Sequence, residues 1–195
     1  MQTITEQSTA TYEVKKSTFH AFLVPFVDFE TTLLQLKSDH PKARHIVWAY
    51  RTLNEHGQIV ENQTDDGEPK GTSGPPVLNV LRGVNLVEVA VLIVRYFGGV
   101  KLGTGGLVRA YSSAVNAAIN QAKIILYEPK TKLGFYTPYT LVQRIEYWVE
   151  REALEVASRN FDATGVRWEL TLSAIQATAL KDYVRGLERE GLVWL

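Results

Sequence analysis

The run Arg95-Tyr96-Phe97-Gly98-Gly99-Val100-Lys101-Leu102-Gly103-Thr104-Gly105-Gly106-Leu107-Val108-Arg109 has the composition of an anion site. Glycines let backbone N–H groups converge with no Cβ in the way. A helix opening at Thr104 adds the partial positive charge of its N-terminus. Arg95, Lys101 and Arg109 supply full charges, Arg109 from one turn inside that helix. Gly98 and Gly103 have the glycine spacing of a Walker loop, but Thr104 stands where the lysine belongs. Val108 occupies the place of the third glycine of a dinucleotide fingerprint, so neither phosphate-binding class applies. The same residues also fit tight turns ahead of a small-residue helix (Ala110, Ala114, Ala117, Ala118) lying close to a sheet.

A second polar segment, Asp65-Asp66-Gly67-Glu68-Pro69-Lys70-Gly71-Thr72-Ser73-Gly74, places three carboxylates within four residues. Asp65, Asp66 and Glu68 are the residue types that hold Mg²⁺ or form an acid–base pair. They equally suit a solvated turn whose carboxylates cap nearby N–H groups, and that reading is preferred, with no metal expected. The spacing is not that of an EF-hand. Gly71 to Pro75 lacks the final glycine of a nucleophile elbow and follows a loop, which argues against a serine hydrolase. Of the four histidines (His20, His40, His45, His56), only His45 opens a strand ahead of the acidic segment and can meet it in space. The four tryptophans fall on apolar stripes and read as core. No catalytic residue is identified.

These segments need a frame. Thr11 to Val27 reads as extended, and Asp28 caps a short helix carrying Leu33, Leu34 and Leu36. His45 to Leu53 alternates as a strand, with Gln58 to Gln63 as its partner. Thr72 or Ser73 caps a helix entered through Pro75-Pro76. Val84 to Tyr96 is a central buried strand, and a helix runs from Thr104 to about Lys123. Pro129 marks a boundary, because ten of the 14 glycines lie between Gly57 and Gly106 and few follow. Beyond it the order is β-α-β-β-α-β, with Leu133, Phe135, Thr137 and Tyr139 on one strand face and helical stripes at Leu141/Ile145/Trp148/Val149 and Leu180/Tyr183/Val184/Leu187. That order fits a ferredoxin-like split βαβ unit. The expectation is an α+β protein of two domains, 1–128 and 131–195.

Composition narrows the function classes. The chain has 195 residues, 45% hydrophobic, with 21 basic and 21 acidic side chains, which suits a packed protein of one or two domains and excludes a generally basic nucleic-acid binder. Charge is nevertheless segregated: Asn54 to Glu68 holds five acidic residues and no Lys or Arg, whereas Pro69 to Lys123 holds six basic residues and one acidic. Cysteine is absent, which removes disulfides and thiolate chemistry. No apolar run spans a membrane. Met1 to Ala10 does not read as a secretory signal, so a cytoplasmic location is expected.

The two glycine-rich segments, with Lys15-Lys16-Ser17, Phe19, His40-Pro41 and Ala43-Arg44-His45, resemble the signature of the IMPACT family, above all its bacterial YigZ-like branch. The resemblance implies an N-terminal domain related to elongation factor G domain IV, of the type of domain two of ribosomal small-subunit protein five. It also implies a ferredoxin-like second domain related to that factor's domain V. It further implies contact with RNA or the ribosome, and its eukaryotic members act in translational control. The leading expectation is a non-enzymatic factor that regulates translation. It would bind RNA or a ribosomal component through Arg95, Gly98, Gly99, Lys101, Gly103, Thr104, Gly105, Gly106 and Arg109, with no cofactor. The alternative is an enzyme or binding protein for a phosphorylated small molecule, held between Asp65–Glu68 and Gly98–Gly106 with Mg²⁺. A protein partner is a third reading.

Overall fold

The apolar, β-branched run at 89–96 decides the architecture of the first half of the chain. Seven of its eight residues are buried, so both faces of the strand must be covered. In the computed structural model, which describes residues 1–195, this strand is the middle of a five-stranded antiparallel sheet within a unit spanning Met1–Tyr127. In chain order the unit comprises β1 (Gln2–Ile4), β2 (Ser8–Val14), β3 (Ser17–Pro25), a 3-10 turn (Phe26–Asp28), α1 (Phe29–Asp39), β4 (His45–Leu53) and β5 (Ile59–Thr64). It continues with α2 (Gly74–Gly83), β6 (Val89–Tyr96), α3 (Thr104–Gln121) and β7 (Ile124–Leu126). The sheet order is β2-β3-β6-β4-β5, and β1 pairs with β7 apart from it.

One face of the sheet packs Phe19, Leu23, Val47, Val91 and Ile93 against α2 and α3. Ala110, Ala114 and Ala118 recur every fourth residue, so α3 presents a small-residue stripe and approaches β2 and β3 closely. The opposite face packs Val24, Ile46, Leu92 and Val94 under α1, through Phe29 and Leu36.

Several expectations for this unit need correction. The extended run from Thr11 to Val27 is two strands. Lys15 and Lys16 take φ of 47° and 63° and turn the chain between β2 and β3. That geometry ordinarily calls for Asn-Gly, and two lysines carry no such mark. Asp28 precedes α1, but its side chain makes no capping bond. Leu34 is 66% exposed, because α1 meets the sheet along Phe29, Leu33 and Leu36. The central strand begins at Val89 and not Val84, since Asn85 and Glu88 have φ of 55° and 57° and break the extended path.

The second unit, Glu128–Leu195, is formed by β8 (Lys130–Pro138), α4 (Tyr139–Arg151), β9 (Glu155–Phe161), β10 (Gly165–Ser173), α5 (Ala174–Val184) and β11 (Val193–Trp194). Its antiparallel sheet has the order β11-β8-β10-β9, the arrangement of a split βαβ unit. Leu141, Ile145, Trp148 and Val149 on α4, with Leu180 and Val184 on α5, bury against Phe135, Val166, Trp168, Leu170 and Leu172. Ser173 opens α5 with a reciprocal capping box to Gln176. Tyr139 belongs to α4 and not to the strand face, because β8 ends at Pro138, the residue before the helix.

Within that core Trp168 Nε1 donates to Thr137 Oγ1 at 2.9 Å, both residues being buried. Thr137→Val keeps the shape and strands the indole N–H. The expected cost is ~1–3 kcal/mol, read as faster amide hydrogen exchange in β8 and β10 with β3 and β6 unchanged.

Candidate functional site

The three neighbouring carboxylates have three separate tasks. Asp65 accepts from the N–H groups of Gly71 (2.7 Å), Ser73 (3.0 Å) and Gly74 (2.9 Å), and from Ser73 Oγ (2.7 Å). It therefore organises the start of α2, where neither Thr72 nor Ser73 supplies a side-chain cap. Burial works to raise its pKa, but the Gly71, Ser73 and Gly74 donors outweigh burial and hold it below the ordinary carboxylate value. Asp66 Oδ2 accepts from Ile46 N at 2.6 Å, and its carbonyl accepts from His45 Nδ1 at 2.7 Å. This bond places the neutral ring's proton on Nδ1. His45 thus meets the acidic segment through backbone.

Glu68 turns inward. Its Oε1 accepts from Arg95 Nη1 at 2.6 Å and from Tyr111 OH at 2.7 Å, and all three side chains are buried. Burial, with the Glu68 carboxylate beside it, raises the Tyr111 phenol far above its ordinary pKa and keeps it neutral. The Arg95 guanidinium lies 5.4 Å from the Phe19 ring centre and 5.8 Å from that of Phe97. Its Nε has no hydrogen-bond partner. No group of three His, Asp or Glu side chains converges as metal ligands would.

Beyond β6 the glycines shape a loop. A Cβ on Gly98 would overlap the Lys16 carbonyl, and Gly98 N donates to Ser17 Oγ at 3.1 Å. The β2–β3 turn therefore props this loop. Gly103, at φ 71°, is the residue before α3, and its carbonyl accepts from Leu107 N at 2.9 Å. The N–H groups of Thr104, Gly105 and Gly106 then have no intrahelical partner.

Loop, helix start and strand ends enclose a cleft of about 780 Å³. Of the residues singled out in the sequence, Arg95, Lys101, Gly103, Thr104, His45 and Glu68 line it. Gly98, Gly99, Gly105, Gly106, Arg109, Asp65 and Asp66 do not. Lys42, Arg44 and Phe97 also line it. The two cations precede β4 and are distant in sequence from the glycine-rich run. Arg44 entered the sequence reading only through the Ala43-Arg44-His45 triplet of the family pattern, and Lys42 not at all. The basic run from Lys70 to Lys123 does not persist as one patch. Arg82 is paired with Glu61, Arg95 with Glu68, and Arg109 points back along α3 beside Gly105.

The Impact N-terminal domain family matches residues 15–119. An IMPACT family member of Haemophilus influenzae is 34% identical over 154 residues, covering 77% of this chain and 75% of that protein. The IMPACT family member YigZ of Escherichia coli is 38% identical over 134 residues, covering 66% of this chain and 63% of its own. A solved structure described as a hypothetical protein superposes with a TM-score of 0.75 at 28% identity, over 100% of this chain and 95% of that one.

Two variants probe the carboxylates. Glu68→Ala leaves a buried guanidinium unpaired and should cost ~3–5 kcal/mol, seen as a lower urea midpoint for the first unit. Asp65→Ala should cost ~0.5–2 kcal/mol at pH 7. Because the folded pKa of Asp65 is depressed, its contribution is present above the unfolded value of ~3.9 and is lost as pH falls through the lower folded value. The gap between wild type and Asp65→Ala should therefore hold at neutral pH and close below about pH 4. A gap that stays constant into acid would contradict this role for the carboxylate.

Proposed function

This chain belongs to the IMPACT family, in its bacterial YigZ-like branch, and we propose on that footing that it is a translation-associated regulator. It binds RNA or a ribosomal component through the cleft at the start of α3. It does so as a non-enzymatic cytoplasmic factor whose units correspond to domains IV and V of elongation factor G.

The charge balance of the cleft carries this reading. Lys42, Arg44 and Lys101 have no carboxylate within ion-pair distance, and the one carboxylate lining the cleft, Glu68, is already paired with Arg95. The N-terminus of an 18-residue helix adds partial positive charge at the same place. A neutral chain thus concentrates unbalanced positive charge where backbone N–H groups are free, the requirement for phosphate contact. The cleft volume also falls in the range of small-molecule sites. A phosphorylated metabolite therefore belongs among the ligands tested, with and without Mg²⁺.

Binding to ribosomes and to a structured RNA, followed over a salt series, should weaken linearly on a log–log plot. Lys101→Glu should lower affinity for all sequences alike and reduce the slope by about one. Lys123→Glu, at an exposed position outside the cleft, should change little. Equal affinity in Lys101→Glu and wild type would remove the cleft from the interface. No binding at low salt would turn attention to the metabolite panel.

A further inference from the structure

We infer that β5 is a self-association edge, at which two copies of this chain pair antiparallel about Val60 and join their five-stranded sheets into one. The surface lies outside the cleft, and the inference stands whether or not the cleft binds RNA.

The edge is open and lacks the usual safeguards. β5 ends the sheet order, and no strand pairs with its outer side. Its register with β4 runs from Ile59↔Leu53 to Thr64↔Trp48 without a shift, and it contains neither Pro nor Lys. Edge strands ordinarily carry a bulge, a proline or charge against chance pairing. At the other edge of the same sheet, β2 exposes only Thr9, Thr11 and Glu13. In the second unit, the edge strand β9 is broken by a register shift opposite Glu169 and Leu170. β5 instead exposes Ile59 (45%) and Val60 (40%). Its one charge, Glu61, is already paired with Arg51 and Arg82.

Hydrogen bonding selects the occupant and the register. The β4–β5 hairpin closes with Asn54 N donating to Gln58 O at 2.9 Å. Alternation from that pair turns the backbone groups of Val60, Asn62 and Thr64 toward β4, and those of Ile59, Glu61 and Gln63 outward. Gln63 N donates to Asn62 Oδ1 at 2.8 Å, and beyond the other end Gly57 N donates to Asn54 O at 2.9 Å. The outward N–H groups left without a partner are those of Ile59 and Glu61, which stand symmetrically about Val60. A second copy with the two-fold axis at Val60 sets each Ile59 opposite the other copy's Glu61, and each such pair exchanges both its backbone bonds. Every free donor on both edges is then used, and the exposed Ile59 and Val60 side chains of the two copies cover one another. An axis at Glu61 would set that carboxylate directly opposite itself and call on the engaged Gln63 N–H. An axis at Ile59 would call on the engaged Gly57 N–H. The strand has six residues, too few to bury the area of a permanent dimer, so the association depends on concentration.

The test uses the full chain. In sedimentation equilibrium from about 10 µM to about 1 mM, the mean mass of the wild type should rise from monomer toward dimer. Val60→Lys sets two ammonium groups face to face, and Ile59→Pro deletes an outward N–H while sparing the bonds to β4. Each should weaken the dimer at least about tenfold while keeping the circular dichroism of the wild type. Because the chain has no cysteine, crosslinking can report the register. Val60→Cys should yield a disulfide-linked dimer on mild oxidation, since residues facing in this way have Cα atoms about 4.5 Å apart. Asn62→Cys, which would face Gln58 of the other copy, should not. A wild type that stays monomeric at every concentration would overturn the inference and leave the edge to a strand of another protein. Association that persists in both Val60→Lys and Ile59→Pro would overturn it by placing the contact elsewhere. Equal crosslinking by Val60→Cys and Asn62→Cys would overturn the pairing about Val60.

Discussion

The contact among Glu68, Arg95 and Tyr111 is the constraint on which the cleft end of the first unit depends. It joins three segments that are far apart in sequence: the acidic loop, the end of the central strand and the second turn of α3. Removing a carboxylate and a guanidinium from water costs several kcal/mol per ion, which a single 2.6 Å bond does not clearly recover. The phenol adds a second donor to the carboxylate, and the Phe19 and Phe97 rings flank the guanidinium. Such a pair contributes less to net stability than to a single arrangement, because any alternative packing leaves a charge buried alone.

That arrangement determines the electrostatics of the cleft. Arg95 is the most deeply placed cation along the glycine-rich run, yet its charge is cancelled locally by Glu68. The field that a ligand meets therefore comes from Lys42, Arg44 and Lys101 together with the helix N-terminus. Two of those side chains stand just ahead of β4, whose first residues are tied to Asp66 by hydrogen bonds from Ile46 N and His45 Nδ1. The acidic loop is thus scaffolding for a cleft lined by cations. Asp65 shapes α2, Asp66 holds the start of β4, and Glu68 locks Arg95.

Much of the frame was legible because it follows from periodicity. Alternation marked β4, the continuous apolar run marked β6, and 3.6-residue stripes marked α4 and α5. These signals are local, and burial enforces them. The hairpin at Lys15-Lys16 was invisible, since a left-handed turn made of lysines carries no sequence mark. The division of labour among Asp65, Asp66 and Glu68 was equally hidden, because three carboxylates in four residues look alike until tertiary partners separate them. The same holds for Arg82, whose pairing with Glu61 across 21 residues removes it from any linear count of free positive charge.

The glycines illustrate how one composition serves two physical ends. Read along the chain, the glycine-rich run suggests convergent N–H donors, and Gly103 serves that end by opening α3 from a left-handed conformation. Gly98 serves another: its missing Cβ lets the loop lie against the Lys16 carbonyl and accept support from Ser17. Gly74 is a third case, where a Cβ would strike Gln63 and the Thr64 carbonyl beneath the start of α2. The β2–β3 hairpin tip therefore acts as a strut under Phe97-Gly98, and the acidic loop as a strut under α2 and β4. A cleft built this way carries its unpaired cations on exposed side chains, Lys42, Arg44 and Lys101, while the backbone around them is fixed from behind.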